Sequence, residues 1–548
     1  MIRQRLWPFA LLGLFVPYAL GCSSDDSAVP PAPDGGAGTP IADATIGGDT
    51  STAPSDDASS ATDASATSTP DAGEGGSASD AAPDGGSSIW SSPTDGGGPT
   101  APGPTVSGNV VVDPSTTKGT VPARFVGLSF EKSHLTDSFF TADNAPLIAF
   151  FHLLGPSLLR IGGNSVDTTS WDAGAPPTDA AVLGTAIGTA DVDNLAAFLA
   201  ATEWKIIYAV GLKTSTPAAA AAEATYASSK LGSSLLAFEV GNEIDLYGLS
   251  QTQAFANWEG EADAIRAALP NAVLSGPATA GDGYIPAFAK SEASRISLLT
   301  QHYYRGDGEA ATSTMAELLT PDPNLTSTLQ TMQTAATTNA IASGYRIDEC
   351  NSFYNHGASG VSNAFGAALW ILDYLFTNAL AGSTGVNLHG GGTGQDGTRP
   401  FYYSPIEESN GAVTNAQPLF YGMLLFTIAG TGDILSTTAT VAGTDGGPLS
   451  FSAYAIAQSD GSTNVVLVNK DATTSVNVQL EAGKSVARAS AIYLQASGLD
   501  ALSGVTLAGT GISNAGAWTP GSPIGLSTTA DSATLLVPAA SAVLVHLE

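Results

Sequence analysis

Basic residues are scarce in this chain. Its 548 residues include 18 Lys and Arg against 50 Asp and Glu, a formal charge of −32. Neutralising a phosphate backbone or a densely sulfated chain takes clusters of Lys and Arg, so the shortage argues against a nucleic-acid binder and against an enzyme steered to sulfated polyanions. Cysteine is nearly absent: Cys22 and Cys350, in unrelated contexts, cannot build a disulfide framework. The six histidines are scattered, with no HExxH or paired-ligand spacing and no calcium-loop pattern, so no metal and no cofactor are expected. A GxSxG elbow is missing, and the glycine run at Gly390 lacks the Lys and following helix of a phosphate-binding loop. No later apolar run has the length and purity of a spanning helix; the best, residues 367–376, is interrupted by Asp373.

What is present divides the chain into stretches of different character. Arg3 and Arg5 precede a mostly apolar run over 6–20 and then Gly21-Cys22-Ser23-Ser24, the layout of an export signal. Ala19-Leu20-Gly21-Cys22 resembles a bacterial lipobox, which implies lipidation of Cys22 and an outer-membrane or cell-surface lipoprotein, with plain secretion as the alternative. Residues 23–105 hold 13 acidic residues, no Lys or Arg, and little but Ser, Ala, Asp, Gly, Pro and Thr. Such a composition cannot bury enough apolar surface to offset the entropy of ordering, and it is expected to be a disordered tether. The only membrane contact expected is through that anchor.

From Val110 onward the pattern alternates strand and helix, which predicts an α/β fold with parallel strands. Eight short strands are expected at 125–130, 157–161, 205–210, 235–240, 272–275, 298–303, 345–348 and 385–388. Eight units in about 300 residues suggest a (β/α)8 TIM barrel over 121–430. Helix ends are marked between them: Thr216 with Pro217 and a stop at Gly232, Ser250 with Gln253 as a capping box, and Ser362 as the opening of a further helix. Beyond 431 short strands separated by Gly, Asp and Ser turns predict a C-terminal β-sandwich, to which residues 106–120 are expected to add a strand.

Two glutamates then stand out. Phe238-Glu239-Val240 runs into Gly241-Asn242-Glu243 after the fourth expected strand, and Asp348-Glu349-Cys350 closes the seventh. Two strand-end glutamates opening on the C-terminal face of a barrel are what glycosidic bond cleavage requires. Either alone would be an ordinary loop carboxylate. Around them, also at strand ends, fall Glu131, Arg160, Asn164 to Asp167, and His302-Tyr303-Tyr304, which would ring the same mouth. Cys350 has no basic partner nearby and is read as a small packing residue.

These motifs carry a resemblance. FVGLSFE (125–131), LLRIGGNSVD (158–167), FEVGNEIDLY (238–247), QHYY (301–304), DECNSFYNHGASGVSNAFGAALWILDYLF (348–376) and FYYSPI (401–406) occur in order. The chain from Val110 to Glu548 resembles glycoside hydrolase family 79, and its microbial β-glucuronidases more than animal heparanases. The resemblance implies a retaining mechanism, with Glu243 as acid and base, Glu349 as nucleophile, and their carboxyls about 5 to 5.5 Å apart. It implies that Asn242 holds the sugar 2-hydroxyl, that Tyr304 donates to Glu349, and that Arg160 keeps Glu349 ionised while Glu243 stays protonated. Uronate recognition would fall to Tyr354, to the Asn355-His356-Gly357 turn, and to Tyr402 or Tyr403. Glu131 and Asp167 would meet distal sugar hydroxyls. Asn355-His356 departs from the glycines of microbial relatives and would narrow the pocket or add a contact.

The expected partner is a glycan bearing glucuronic acid, 4-O-methylated or not, acted on from its end by a monomer. A retaining enzyme of the same clan, such as an arabinofuranosidase, would share the glutamates without needing Tyr354 and Tyr402. A non-catalytic carbohydrate-binding surface protein would be expected to have lost one carboxylate.

Overall fold

The computed structural model describes residues 89–548 apart from 92, 95, 96, 102, 176–184, 392–399 and 410. The export signal, Cys22 and most of the expected tether lie outside the described residues. Eight parallel strands close into a barrel: Val126–Glu131, Leu158–Gly162, Lys205–Val210, Leu235–Val240, Leu274–Thr279, Leu298–Tyr304, Tyr345–Asn351 and Val386–Gly390. They are numbered first to eighth below. Each is followed by an outer helix, from Ala145–Leu154 after the first to Pro418–Ala429 after the eighth. This is a TIM barrel, and its strands coincide with the apolar runs because each is buried on both faces.

Local chemistry sets the helix ends. Thr216 accepts a hydrogen bond from the Ala219 amide with Pro217 in the first turn, and Gly232 closes that helix. Ser250 and Gln253 form the reciprocal capping box of Gln251–Ala268. Ser362 does not open the next helix. Phe365–Leu380 starts after Ala364, and the Ser362 hydroxyl is turned to the Ala358 amide and the Ser352 hydroxyl instead.

The second region is one 11-stranded sheet that curls on itself as the β-sandwich domain. Thr105–Val121 runs antiparallel to Gly432–Val441 and parallel to Ser475–Glu481, so the sheet takes a strand from each side of the barrel in sequence. Strand periodicity explains why its sequence is so continuously apolar. In Thr463–Asn469, Val465 and Leu467 enter the sheet's own core with Val110, Val478 and Val545, while Val466 and Val468 face the barrel's helices. Phe376 stacks on Tyr454 at 4.1 Å across that junction. Asp373 of the same helix accepts from the hydroxyls of Ser452 (2.5 Å) and Tyr454 (2.9 Å) and pairs with Lys470.

The expected tether ends earlier than 105. Trp90 stacks on His546 at 4.8 Å, and Thr94 exchanges backbone hydrogen bonds with Pro523 and Gly525 on the sheet. Ile89-Trp90 is the one bulky apolar pair in that stretch of small polar residues, and such a pair is enough to dock a chain end.

Candidate active site

The fourth strand ends in a turn that only glycine permits. Gly241 has φ of 76°, and a Cβ there would meet the Tyr247 hydroxyl at 2.7 Å and the Leu212 Cβ at 2.9 Å. The turn leaves Glu243 itself in the left-handed region (φ 52°), its amide bonded to the Ala278 carbonyl, so the backbone at the end of the fifth strand fixes where the carboxylate points. On the seventh strand the pairing register slips on both sides between Ile347 and Cys350. An irregularity of this kind re-aims side chains. Asp348 and Glu349, neighbours in sequence, both reach groups of the barrel interior.

One oxygen each of Glu243 and Glu349 and a ring nitrogen of His302 lie within 4.8 Å of one another. These three are the one group among the described residues with the spacing of a metal site, but their donor atoms are already engaged. His302 Nδ1 is 3.1 Å from Glu243 Oε1, and the Tyr304 hydroxyl donates to Glu349 Oε1 at 2.9 Å. Arg160 Nη2 stands 3.2 Å from His302 Nε2. A guanidinium only donates, so Nε2 is the acceptor and Nδ1 carries the proton directed at Glu243. Burial lowers the imidazole's basicity, and Glu349 and Glu243 more than offset it, so the pKa is raised; the Arg160 contact still keeps Nε2 bare.

Arg160 is the hub. Wholly buried, it donates Nη1 to Glu349 Oε2 at 2.7 Å, Nε to Glu239 Oε1 at 2.8 Å and Nη2 to Asn242 Oδ1 at 3.0 Å. Burial alone would raise the pKa of Glu349. His389, His302, Arg160 and the Tyr304 hydrogen bond reverse that and hold the carboxyl well below the usual range. Tyr304 and Tyr403 shift the other way: burial first, then the charge of Glu349, pushes both phenols far up, so they stay protonated. Cys350 is buried and its thiol pushed up to about 12, chiefly by burial, which suits packing.

The carboxylates open into a pocket of about 580 Å³ walled by Glu131, Asn164, His302, Tyr304, Tyr354, Asn355, His356, His389, Phe401 and Tyr403, among others. Glu131 accepts from the amides of Asn164 (3.2 Å) and Ser165 (2.7 Å). Tyr354, 43% exposed, is pinned by its backbone to Gly306 and Gly308. Asn355, His356 and Gly357 are all left-handed (φ 54°, 66° and 83°), a tight turn held by the Asn355 amide on Asp307 and by His356 packed edge-on against Phe401. A Cβ on Gly357 would meet the Ser362 hydroxyl at 2.9 Å.

Five expected residues, Asp167, Asn242, Arg160, Gly357 and Tyr402, sit away from the wall. Asp167 was expected at distal hydroxyls, but its Oδ1 takes the amides of Leu212 and Lys213 and its Oδ2 the Tyr247 hydroxyl. The turn Asn164–Asp167 aims it back into the protein, and Glu131 and Asn164 stand at the wall instead. Asn242 lies just behind the wall, its amide spent between Arg160 and Asn164. Arg160 is behind it too. Of the two tyrosines left open by the sequence, Tyr403 lines the pocket, whereas Tyr402 is bonded through its backbone amide to His356 O. His389 and Phe401, at the wall, and the buried pair Glu239 and Asp348 were not anticipated.

Residues 453–544 match the family profile described as "Glycosyl hydrolase family 79 C-terminal beta domain". No curated protein sequence matches. Among solved structures the chain is similar to a 4-O-α-L-rhamnosyl-β-D-glucuronidase from Fusarium oxysporum 12S, at 21% identity and a TM-score of 0.66, over 80% of this chain and 99% of that one. It is also similar to AbfB, a family 51 α-L-arabinofuranosidase from Bifidobacterium longum (16% identity, TM-score 0.60, 82% and 100% covered), and to a monomeric β-xylosidase from Caulobacter crescentus CB15 (16%, 0.55, 80% and 99%). At these identities the structures show a shared fold. The profile match, which covers the C-terminal domain, supports glycoside hydrolase family 79 and with it a glycoside hydrolase.

Proposed function

We propose that this chain, with family 79 supported by its C-terminal domain, is a retaining exo-acting β-glucuronidase. The observation that carries the mechanism is the spacing of Glu243 and Glu349 across His302, within 4.8 Å oxygen to oxygen. An inverting enzyme needs roughly 6.5–9.5 Å between its carboxyls, to seat a water. In the first step a Glu349 oxygen bonds to the anomeric carbon as the glycosidic C–O bond breaks, and Glu243 gives its proton to the departing oxygen. In the second, Glu243 takes a proton from water, whose oxygen bonds to the same carbon and releases Glu349. Arg160 and Tyr304 suit Glu349 to the nucleophilic role because both stabilise the anion that must attack and later leave.

The uronic-acid part of the proposal rests on the wall beside the nucleophile. Tyr354, Asn355 and His356 of the left-handed turn, and Tyr403 converge there, with donors able to face a carboxylate. The Fusarium enzyme named above acts on a glucuronide whose 4-hydroxyl carries rhamnose, and substituted glucuronides belong in the same trial. The substrate would be met outside the cytoplasm, by a chain tethered at Cys22. The test compares aryl β-D-glucuronide with aryl β-D-glucoside, using Glu349→Ala as control. Glucuronide cleavage lost in the variant supports the proposal; preference for glucoside removes the uronate and leaves the mechanism.

A further inference from the structure

Behind Glu349 lies a pair of carboxyl groups that the two-step reaction does not use. Glu239 and Asp348 are fully buried in the barrel interior, on the fourth and seventh strands. Glu239 Oε1 is taken by Arg160. Among the described residues, Glu239 Oε2 and both Asp348 oxygens have no donor from any N–H or from a hydroxyl. The nearest basic side-chain nitrogens to Asp348 among the described residues, Arg160 Nε at 3.8 Å and His302 Nε2 at 4.0 Å, are beyond hydrogen-bond reach. Three orphan acceptors at zero exposure would be costly, since each forfeits its water without a replacement.

One proton removes the problem. Both side chains converge on Arg160 Nε, Glu239 Oε1 at 2.8 Å and Asp348 Oδ2 at 3.8 Å, and a carboxylic acid is a donor where a carboxylate is not. We infer that Asp348 is a protonated positioning residue: its O–H donates to Glu239, the pair carries a single negative charge, and that charge anchors Arg160 so that Nη1 stays on Glu349. This rests on the reaction proposed above and goes beyond it, by assigning a resident proton to a residue that touches no substrate.

Charge around the pair decides which partner holds the proton. Asp348 faces Glu239 and Arg160 across the barrel, His302 from the sixth strand, and Glu349 and Arg346 on its own strand. Arg160 bonds directly to Glu239 and only approaches Asp348, so the anion belongs on Glu239. Burial and then the Glu239 charge push Asp348 far up, while Arg160 draws Glu239 down against its burial. Were Asp348 ionised, a second buried anion would compete with Glu349 for Arg160 and repel the nucleophile's own charge.

The full chain carries the test, in two measurements. Infrared difference spectra of wild type against Asp348→Asn are expected to show the C=O stretch of an un-ionised carboxyl that the variant loses, at neutral pH and without substrate. If Asp348→Asn does not fold, Glu239→Gln serves, because weakening the acceptor should shift that band. A spectrum in which neither variant alters an un-ionised carboxyl overturns the inference. The second measurement is the pH profile of kcat/KM. Asp348→Ala frees Glu239 to draw Arg160 away, which should move the acid limb up by about one pH unit, a tenfold change in proton affinity of Glu349. Asp348→Asn, whose amide can still donate, should restore the wild-type limb and keep kcat/KM within about tenfold. Equal limbs in all three proteins overturn the positioning role. The infrared result needs no sugar, so it stands or falls separately from the β-glucuronidase proposal.

Discussion

The barrel interior and the inside of the curled sheet are both closed to water and are filled with opposite chemistry. Beneath the pocket the barrel buries Arg160, Glu239, His302, Asp348 and Glu349. The sheet core holds Val110, Val465, Leu467, Val476, Val478, Leu480, Val543 and Val545. Buried charge contributes little net stability even when well paired, because desolvation consumes what Coulomb attraction returns. Apolar burial stabilises by about 25 cal/mol per Å². The two regions therefore divide the labour: the sheet and the helices it covers hold the chain folded, and the barrel mouth keeps charges where water would otherwise dissipate them.

The sharpest way to break that division is to cross it with substitutions. Glu349→Ala should lower kcat by roughly 10⁴-fold or more, the scale of deleting a covalent nucleophile, with the unfolding midpoint little changed. Added azide should restore part of the turnover with inverted product, because a small anion can enter the space left. Leu467→Ala does the reverse. It removes a fully buried side chain and should cost about 2–5 kcal/mol in denaturant unfolding while kcat per folded molecule holds. Loss of activity without loss of stability at Leu467 would contradict the division.

Smaller effects sharpen the comparison inside the barrel. Tyr304→Phe removes one hydrogen bond to an ionised group, about 1.5–3 kcal/mol, so kcat/KM should fall roughly 10- to 150-fold. Glu261, on the helix Gln251–Ala268, is a buried carboxyl outside the pocket whose pKa is pushed up to about 8, first by burial, then by Asp167 and Glu223. Its folded pKa exceeds its unfolded value, so the native state binds the extra proton. Stability falls as pH rises from about 4.3 towards that folded value and levels off above it. Glu261→Gln should therefore raise the melting temperature at pH 9 relative to wild type and leave it near wild type at pH 4. A variant destabilised equally at both would show that the carboxyl is a packing element.

Much of this was legible in the chain itself, for a physical reason. Barrel strands buried on both faces are short continuous apolar runs, and capped helices between them leave few ways to divide the sequence. The limits were at strand ends. The eighth strand was expected to stop at 388 but continues to Gly390, and the two added residues carry His389 to the pocket wall. The fifth is expected over 272–275 but runs over Leu274–Thr279, through Gly276-Pro277. Asp348 and Glu239 could not be paired from sequence, since they stand on the seventh and fourth strands, which are not neighbours in the barrel. Asp167 misled because strand-end polarity marks a mouth without saying which way a side chain turns.

The central claim, double displacement by Glu349 with Glu243 as acid and base, is tested most directly by the configuration of the first product. Proton NMR of a β-glucuronide digest, followed before mutarotation, should show β-glucuronic acid appearing ahead of the α anomer. The α anomer appearing first would mean direct attack by water and would contradict the account.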